Sequence, residues 1–421
     1  MAQVILNREK IITLEDTKEL LLYNKATGLY EPGEGKLSWC IQFCAASDTK
    51  INLVKETIET IKRITIQPRE KIGQNVNLIP LGNGIYNFKT KEFMDYNPEF
   101  VFTSKHPINY LVEEDLLFEN PIDKFLGEVT EKQEDAVFLK EFIGYMFYRQ
   151  MPFHTFVILV GAGANGKSVF LNIIREMVGT ENISERTLQE LAEDRFASAD
   201  LFGKNVNIVG DLPRKALQDT GLLKRATGGD VVPAQKKYQQ AFKFKPYAKI
   251  ICAANEAPES PDMSFGFLRR TQIINFPNTF EGKENRNLTQ ELCTPTNLSH
   301  FFLSCINAFS MALEDNKWVI TENITQKEEK YVNYSNSALA FANTFLEYEP
   351  DSELPTQEIY ERYKVFCVEK KLIKRIDRIF FVDLFRFFQN RVYKKRRVLS
   401  YGLIGEGHEV RQYVIVGVAW K

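Results

Sequence analysis

Residues 161–168 read GAGANGKS and fit the pattern G-x-x-x-x-G-K-[ST]. These residue types at this spacing can hold a phosphate. Backbone N–H groups and the N-terminus of the following helix cradle the anion. Gly161, Gly163 and Gly166 allow sharp turns and close approach, and Ala162, Ala164, Asn165 and Val169 complete the stretch. Lys167 is expected to contact the β and γ phosphates, and Ser168 to ligand Mg²⁺. Hydrolysis also needs an acid on an adjacent strand to hold the metal through water. Asp211, closing NVNIVGD, is the candidate metal-site acid. Asn255 ends IICAAN, where an amide could orient water near the γ-phosphate, although Asn-Glu-Ala-Pro is also good turn chemistry. Arg269 and Arg270 open a further strand in GFLRRTQIINF. A guanidinium fork suits a transition-state phosphate, and in a head-to-tail assembly one of the pair could serve a neighbour's nucleotide.

The elements around these residues supply the context the pattern requires. TFVILV is a short, continuous apolar run, as in a strand buried on both faces. KSVFLNIIREMVG reads as a helix closed by Gly179, and NVNIVGD and KIICAANE as further buried strands. This is an α/β unit with a parallel sheet. Upstream, Ile51, Val54, Ile58 and Ile61 fall at helical spacing in INLVKETIETIKRI, PLGNGIYNFKTKEF reads as a hairpin, and residues 131–149 as an amphipathic helix ending at Met151-Pro152. TENITQKEEKYVNYSNS reads as a connector, helical in part. From Thr356 to Lys421 there are 15 basic and 7 acidic residues. Two amphipathic helices and then two strands are expected there, the order of a small winged-helix domain.

With 421 residues the chain can hold two or three domains, and its net charge of −1 means that any nucleic-acid-binding face is local. Six cysteines make no disulfide framework, and CIQFC (Cys40 and Cys44), with no histidine nearby, reads as two buried positions on one helix face. MAQVILNREK has no signal-peptide pattern, and no apolar run approaches a membrane span. A cytoplasmic protein, in the host cell if virus- or plasmid-encoded, is expected.

The order GAGANGKS, GKNVNIVGDL, LLKRATGGDVVPAQKKY, AKIICAANEAP, GFLRRTQIINF resembles the superfamily 3 helicases, more narrowly the helicase portion of phage, plasmid and poxvirus primase-helicases. Its particular marks are Asn165, the run Lys224, Gly228, Gly229 and Asp230, and the paired arginines before Ile273-Ile274. The resemblance implies an AAA+ type P-loop NTPase core with a parallel central sheet over residues 125–335. It also implies a mostly helical N-terminal collar domain over 1–124 and a basic, winged-helix-like α+β domain over 336–421. The implied activity is that of a replicative DNA helicase. ATP hydrolysis with Mg²⁺ would drive a homo-oligomeric ring, usually a hexamer, 3′ to 5′ along single-stranded DNA to unwind forked duplex. By family position Lys167 and Ser168 bind nucleotide and metal, Asp211 is the metal-site acid and Asn255 senses the γ-phosphate. Arg270 is the favoured arginine finger, with Arg269 as the fallback. Lys236, Lys237 and Tyr238 would tip a hairpin that grips DNA in the central channel. Lysines neutralise backbone phosphates and an aromatic can stack on a base.

Two departures stand out. Asp211 is followed by Leu212-Pro213 rather than a second acid, which leaves Asp230 or a group from the assembled ring for part of that work. No Asp-x-Asp pair of the kind primer synthesis would use is present, so the chain reads as the helicase part of a longer primase-helicase, or as a partner of a primase. The other readings are a packaging or translocating ATPase that separates no strands, and an ATP-binding origin-recognition module.

Overall fold

The computed structural model describes residues 1–44, 51–111, 119–213, 215–237, 241–283, 285–401 and 408–421. The N-terminal stretch runs α1 (Ala2–Arg8), β1 (Ile11–Leu14), β2 (Leu20–Asn24), β3 (Leu29–Pro32), α2 (Glu34–Cys44), α3 (Ile51–Ile64) and β4 (Ile66–Gln67). The four strands form one sheet in the order β3-β2-β1-β4. A three-stranded meander follows: β5 (Leu78–Pro80), β6 (Ile85–Asn87) and β7 (Glu92–Met94). The helical spacing in α3 is real, since Ile58 and Ile61 are buried against Leu20, Leu22, Leu37 and Ile41. The unit as a whole is mixed, not mostly helical. Its strands are two- to five-residue runs such as LLLYN between turns at Lys18 and Gly28, too short to show a period. Cys40, on α2, is half-buried rather than buried.

The middle of the chain opens with α4 (Pro121–Val129) and α5 (Gln133–Phe147). It continues through β8 (Phe156–Val160), α6 (Lys167–Val178), β9 (Ile183–Ser184), α7 (Leu188–Glu193), β10 (Val206–Val209) and α8 (Gly221–Gly228). After these come β11 (Val232–Ala234), β12 (Phe242–Phe244), β13 (Lys249–Ala254), α9 (Phe265–Leu268), β14 (Thr271–Asn275), α10 (Leu288–Leu292) and α11 (Pro295–Asp315). The central sheet has the order β14-β8-β13-β10-β9, and every pairing in it is parallel. Its strands are buried on both faces. Val157, Leu159, Ile251 and Ala253 enter one core with α4, α5, α6 and α11, whereas Phe156, Ile158, Val160, Ile250 and Cys252 enter the other with α7 and α8. That alternation is the two-residue period of a strand applied to sequences apolar throughout. All five C-terminal strand ends therefore open on one edge.

The expected connector is mostly one helix, α12 (Ile324–Ser335), and a second helix, α13 (Ser337–Phe345), follows it. Asn323 and Asn336 cap their N-termini, Asn336 accepting from the N–H groups of Ala338 and Leu339. The chain closes with β15 (Leu346–Pro355), α14 (Thr356–Glu369), α15 (Asp377–Phe387), β16 (Tyr393–Tyr401) and β17 (His408–Trp420). The final sheet is three-stranded, β15-β17-β16, rather than a two-stranded wing. β15 is LEYEPDSELP, whose acids and prolines hide a strand that only pairing with β17 creates. Phe341, Tyr363, Phe366, Phe380 and Leu384 form the core of this unit.

Candidate functional site

The glycine loop leaves the buried end of β8 and enters α6. At Gly161 an added Cβ would lie 2.4 Å from both Asn165 Nδ2 and the Phe276 carbonyl oxygen, so any side chain would push the loop off the sheet. Gly166 caps α6 at φ +88°, a left-handed backbone, with Val129 Cγ1 2.7 Å from where a Cβ would sit. Ala164 is also left-handed, φ +53°, at a cost of roughly 1–2 kcal/mol for an L-residue. The Phe280 N–H donates to its carbonyl at 2.7 Å and holds it there. Gly163 faces open space.

Lys167 is 8% exposed and folded back on its own loop. Its Nζ donates to the carbonyls of Gly161 (2.6 Å) and Ala162 (3.2 Å) and to Asn165 Oδ1 (3.0 Å). Burial pushes its ammonium down to about 8, against the opposing charge of Asp211. The Asn165 amide in turn donates to the Phe276 carbonyl at 3.2 Å, which ties the loop to the chain just past β14. Ser168 is exposed on the first turn of α6 and Val169 is half-buried against the core. The first N–H groups of a helix have no intrahelical partner and can meet an anion.

Asp211 lies exposed two residues past β10, where the Leu212 N–H donates to the Ala253 carbonyl at 2.8 Å. Ala254 pairs with Val160, so Asn255 follows on β13 beside Gly161. Both residues line a narrow cleft that also takes in Asn275, Tyr334 and Lys371. The sheet thus brings Lys167, Ser168, Asp211 and Asn255 to one edge. Such an edge can hold an anion, a cation between a hydroxyl and a carboxylate, and an amide facing both.

The arginine pair is at the opposite edge. The Phe156 N–H, at the start of β8, donates to the Arg270 carbonyl at 2.9 Å. Five residues of strand, about 16 Å, separate that point from Gly161. Arg270 is 9% exposed, and its Nη1 donates to the Gly266 carbonyl at 2.6 Å. Arg269 is half-buried, with Nη1 3.3 Å from His154 Nδ1. Burial, then the charges of Arg269 and Arg270, hold His154 below the usual histidine range, so Nδ1 is free to accept. Asp230 acts on both Arg270 and His154 and belongs to this group, so it does not supply a second acid beside Asp211 of the same chain.

β11 and β12 pair from Val232–Phe244 to Ala234–Phe242. Phe242 and Phe244 meet Phe202 edge-on at their base. Lys236 and Lys237 are exposed where the hairpin leaves β11, and Tyr238 lies outside the described residues.

Three residues at the site carry no motif in the sequence. Glu131 Oε2 accepts from Asn275 Nδ2 at 3.2 Å, and Glu131 Oε1 pairs with Lys371 Nζ at 3.2 Å. Arg375 is 11% exposed among Glu256 (3.5 Å), Glu259 (3.5 Å) and Asp383, and donates to the Ser335 carbonyl at 3.1 Å. Apart from Asp383, their partners are far away in the chain, 144 residues for Asn275 and Glu131 and 119 for Glu256 and Arg375.

Two family models match side by side: D5 N terminal like over residues 24–147 and a family of unknown function, DUF5906, over residues 159–270. The chain is 25% identical over 218 residues to "Putative helicase L207/L206" of Acanthamoeba polyphaga mimivirus, covering 50% of this chain and 22% of that one. It is 23% identical over 238 residues to "Putative helicase 121R" of Invertebrate iridescent virus 3, covering 51% and 24%. The match thus spans about a quarter of the length of these relatives. Among solved structures, the apo A form of the NrS-1 C terminal region shares the fold, with a TM-score of 0.52 at 12% identity over 99% of this chain and 98% of that one. No helix among the described residues is long and apolar enough to cross a membrane. Two adjoining family models match the chain, helicase-named viral proteins are similar to half of it, and the fold it shares with the NrS-1 C terminal region runs along its whole length.

Proposed function

We propose that this chain is an ATP-dependent replicative DNA helicase that works as a homo-oligomeric ring, a hexamer by family resemblance, inside the cell. The observation that carries the reading is the division of the site between the two edges of one parallel sheet. Lys167, Ser168, Asp211 and Asn255 share the C-terminal edge, while Arg269 and Arg270 sit at the other end of β14. A subunit so built cannot bring its own arginines to its own nucleotide, but a head-to-tail neighbour can. The ammonium of Lys167 would leave its three loop acceptors for the β and γ phosphates of ATP. The Ser168 hydroxyl and the Asp211 carboxylate would hold Mg²⁺, which neutralises charge on the phosphates. Asn255 would orient water or sense the γ-phosphate. Of the two arginines, Arg269 is the more exposed, and Arg270 must leave the Gly266 carbonyl to reach a neighbour.

The β11–β12 hairpin would carry Lys236, Lys237 and Tyr238 into the channel and grip single-stranded DNA by its phosphates. The C-terminal order α13, β15, α14, α15, β16, β17 supports a winged-helix assignment, and the basic β16 (YKKRRVLSY) supports duplex DNA as its partner. A forked-duplex assay with ATP tests the reading. Strand release is expected, in the 3′ to 5′ direction, with ATP hydrolysis stimulated by single-stranded DNA. Lys237→Ala should keep basal hydrolysis and lose unwinding. Hydrolysis without strand release by the unaltered chain would instead make it a translocase.

A further inference from the structure

Lys371 belongs to the C-terminal unit, yet it lines the cleft formed by Gly161, Asn255 and Asn275. It stands just past the end of α14. There the Leu372 N–H donates to the Cys367 carbonyl at 2.8 Å and the Lys371 N–H to the Val368 carbonyl at 3.2 Å. These two bonds form the paired helix ending whose left-handed position usually holds glycine. Lys371 takes that position at φ +53°. A lysine is a costly choice there, and backbone geometry alone gives no reason for it. Its side chain is half exposed, and its ammonium rests 3.2 Å from Glu131, which also accepts from Asn275. The segment behind it is firmly anchored. Ser337 Oγ donates to the Ile373 carbonyl at 2.8 Å and the Arg375 N–H to the Tyr363 hydroxyl at 2.8 Å, while the Arg375 guanidinium reaches Glu256, next to Asn255. The loop after α14 is thus clamped over the tip of β13, with the half-exposed Lys371 ammonium at its end.

We propose that Lys371 is a second phosphate-binding lysine of the ATP site, delivered in cis by the C-terminal unit and parked on Glu131 when no triphosphate is present. It would act alongside Lys167, whose ammonium rests on the carbonyl of Gly161, a residue of the same cleft. A closed cleft would then bind the C-terminal unit to the nucleotide state. The proposal rests on the ATP-binding reading above.

Steady-state hydrolysis by the full chain, at saturating single-stranded DNA, tests it. Lys371→Gly relieves the left-handed backbone, so its Tm should equal or exceed that of the unaltered chain. Its KM for ATP should nevertheless rise about tenfold with kcat little changed, the loss expected for one charge-assisted contact. Lys371→Arg should restore KM. Glu131→Gln keeps an acceptor for Asn275 but frees the lysine, so its KM should fall. Unchanged KM in Lys371→Gly overturns the proposal, as does a rise in KM for both Lys371→Gly and Glu131→Gln, which would mark a purely structural ion pair. No nucleotide binding by the unaltered chain would overturn the ATP reading itself, a distinct outcome.

Discussion

Asn165 accepts from Lys167 Nζ at 3.0 Å and, through its amide, donates to the Phe276 carbonyl at 3.2 Å. One buried side chain therefore spans the loop lysine and the chain leaving β14, the edge strand next to β8. The bridge explains why an asparagine precedes Gly166-Lys167 in this sequence. It also keeps a buried ammonium supplied with acceptors before any phosphate arrives.

That buried ammonium gives a pH signature. Lys167 sits at about 8, below its ordinary 10.5, because burial disfavours the charged form. The sign follows from linkage. Below about 8 the folded and unfolded chains both carry the proton, and the nucleotide-free protein bears the full burial penalty. Between about 8 and 10.5 the unfolded chain binds more protons, so stability rises with pH. Phosphate contact favours the ammonium, so ATP binding takes up a proton above that pH. KM for ATP is therefore expected to rise, by up to about tenfold per pH unit above 8. Titration calorimetry in buffers of different ionisation heat should register the uptake at pH 8.5, and equal heats across buffers would contradict it.

The separation of the two sheet edges predicts complementation. Lys167→Ala and Arg269→Ala chains should each be inactive alone, each losing on the order of 10³ in kcat. Mixed, they should recover part of the hydrolysis, because an intact Lys167 in one subunit can meet an intact Arg269 in its neighbour. The same mixture made with Arg270→Ala identifies which arginine acts across the junction. His154→Ala should lower kcat less than Arg269→Ala and leave KM near its original value, since His154 only orients the arginine. Absence of recovery in every mixture would argue for sites complete within one chain.

Arg375 holds the C-terminal unit to the sheet. It is 11% exposed, with Glu256 and Asp383 each 7% exposed beside it. Arg375→Ala removes the buried cation that Glu256 and Asp383 share, leaving Asp383 the exposed Arg386 at 3.8 Å, and a loss of about 3–5 kcal/mol is expected in urea unfolding. Arg375→Lys should recover little, because a single ammonium cannot reach Ser335, Glu256 and Asp383 together. A loss below about 1 kcal/mol would mean that the cluster is solvated like a surface ion pair.

The glycine loop, the strands TFVILV, NVNIVGD and KIICAANE, and the amphipathic helices α3 and α5 were legible from residue order alone. Each is a local pattern: a run, a period or a turn type that physical chemistry ties to one backbone shape. PLGNGIYNFKTKEF was legible as a hairpin, but β1–β4 and β15 escaped such reading, because a few apolar residues, or an acid-rich run, become strands only when a partner strand supplies the hydrogen bonds. Which polar residues meet depends on how the elements pack. Parallel pairing of β8, β10 and β13 set Lys167, Asp211 and Asn255 on one edge and left Asp230 with Arg270 and His154 on the other. Glu131, Asn275 and Lys371 come together because α14 ends over that edge. A contact spanning more than a hundred residues leaves no spacing to read, since the packing of whole elements, not the chain between them, fixes its distance.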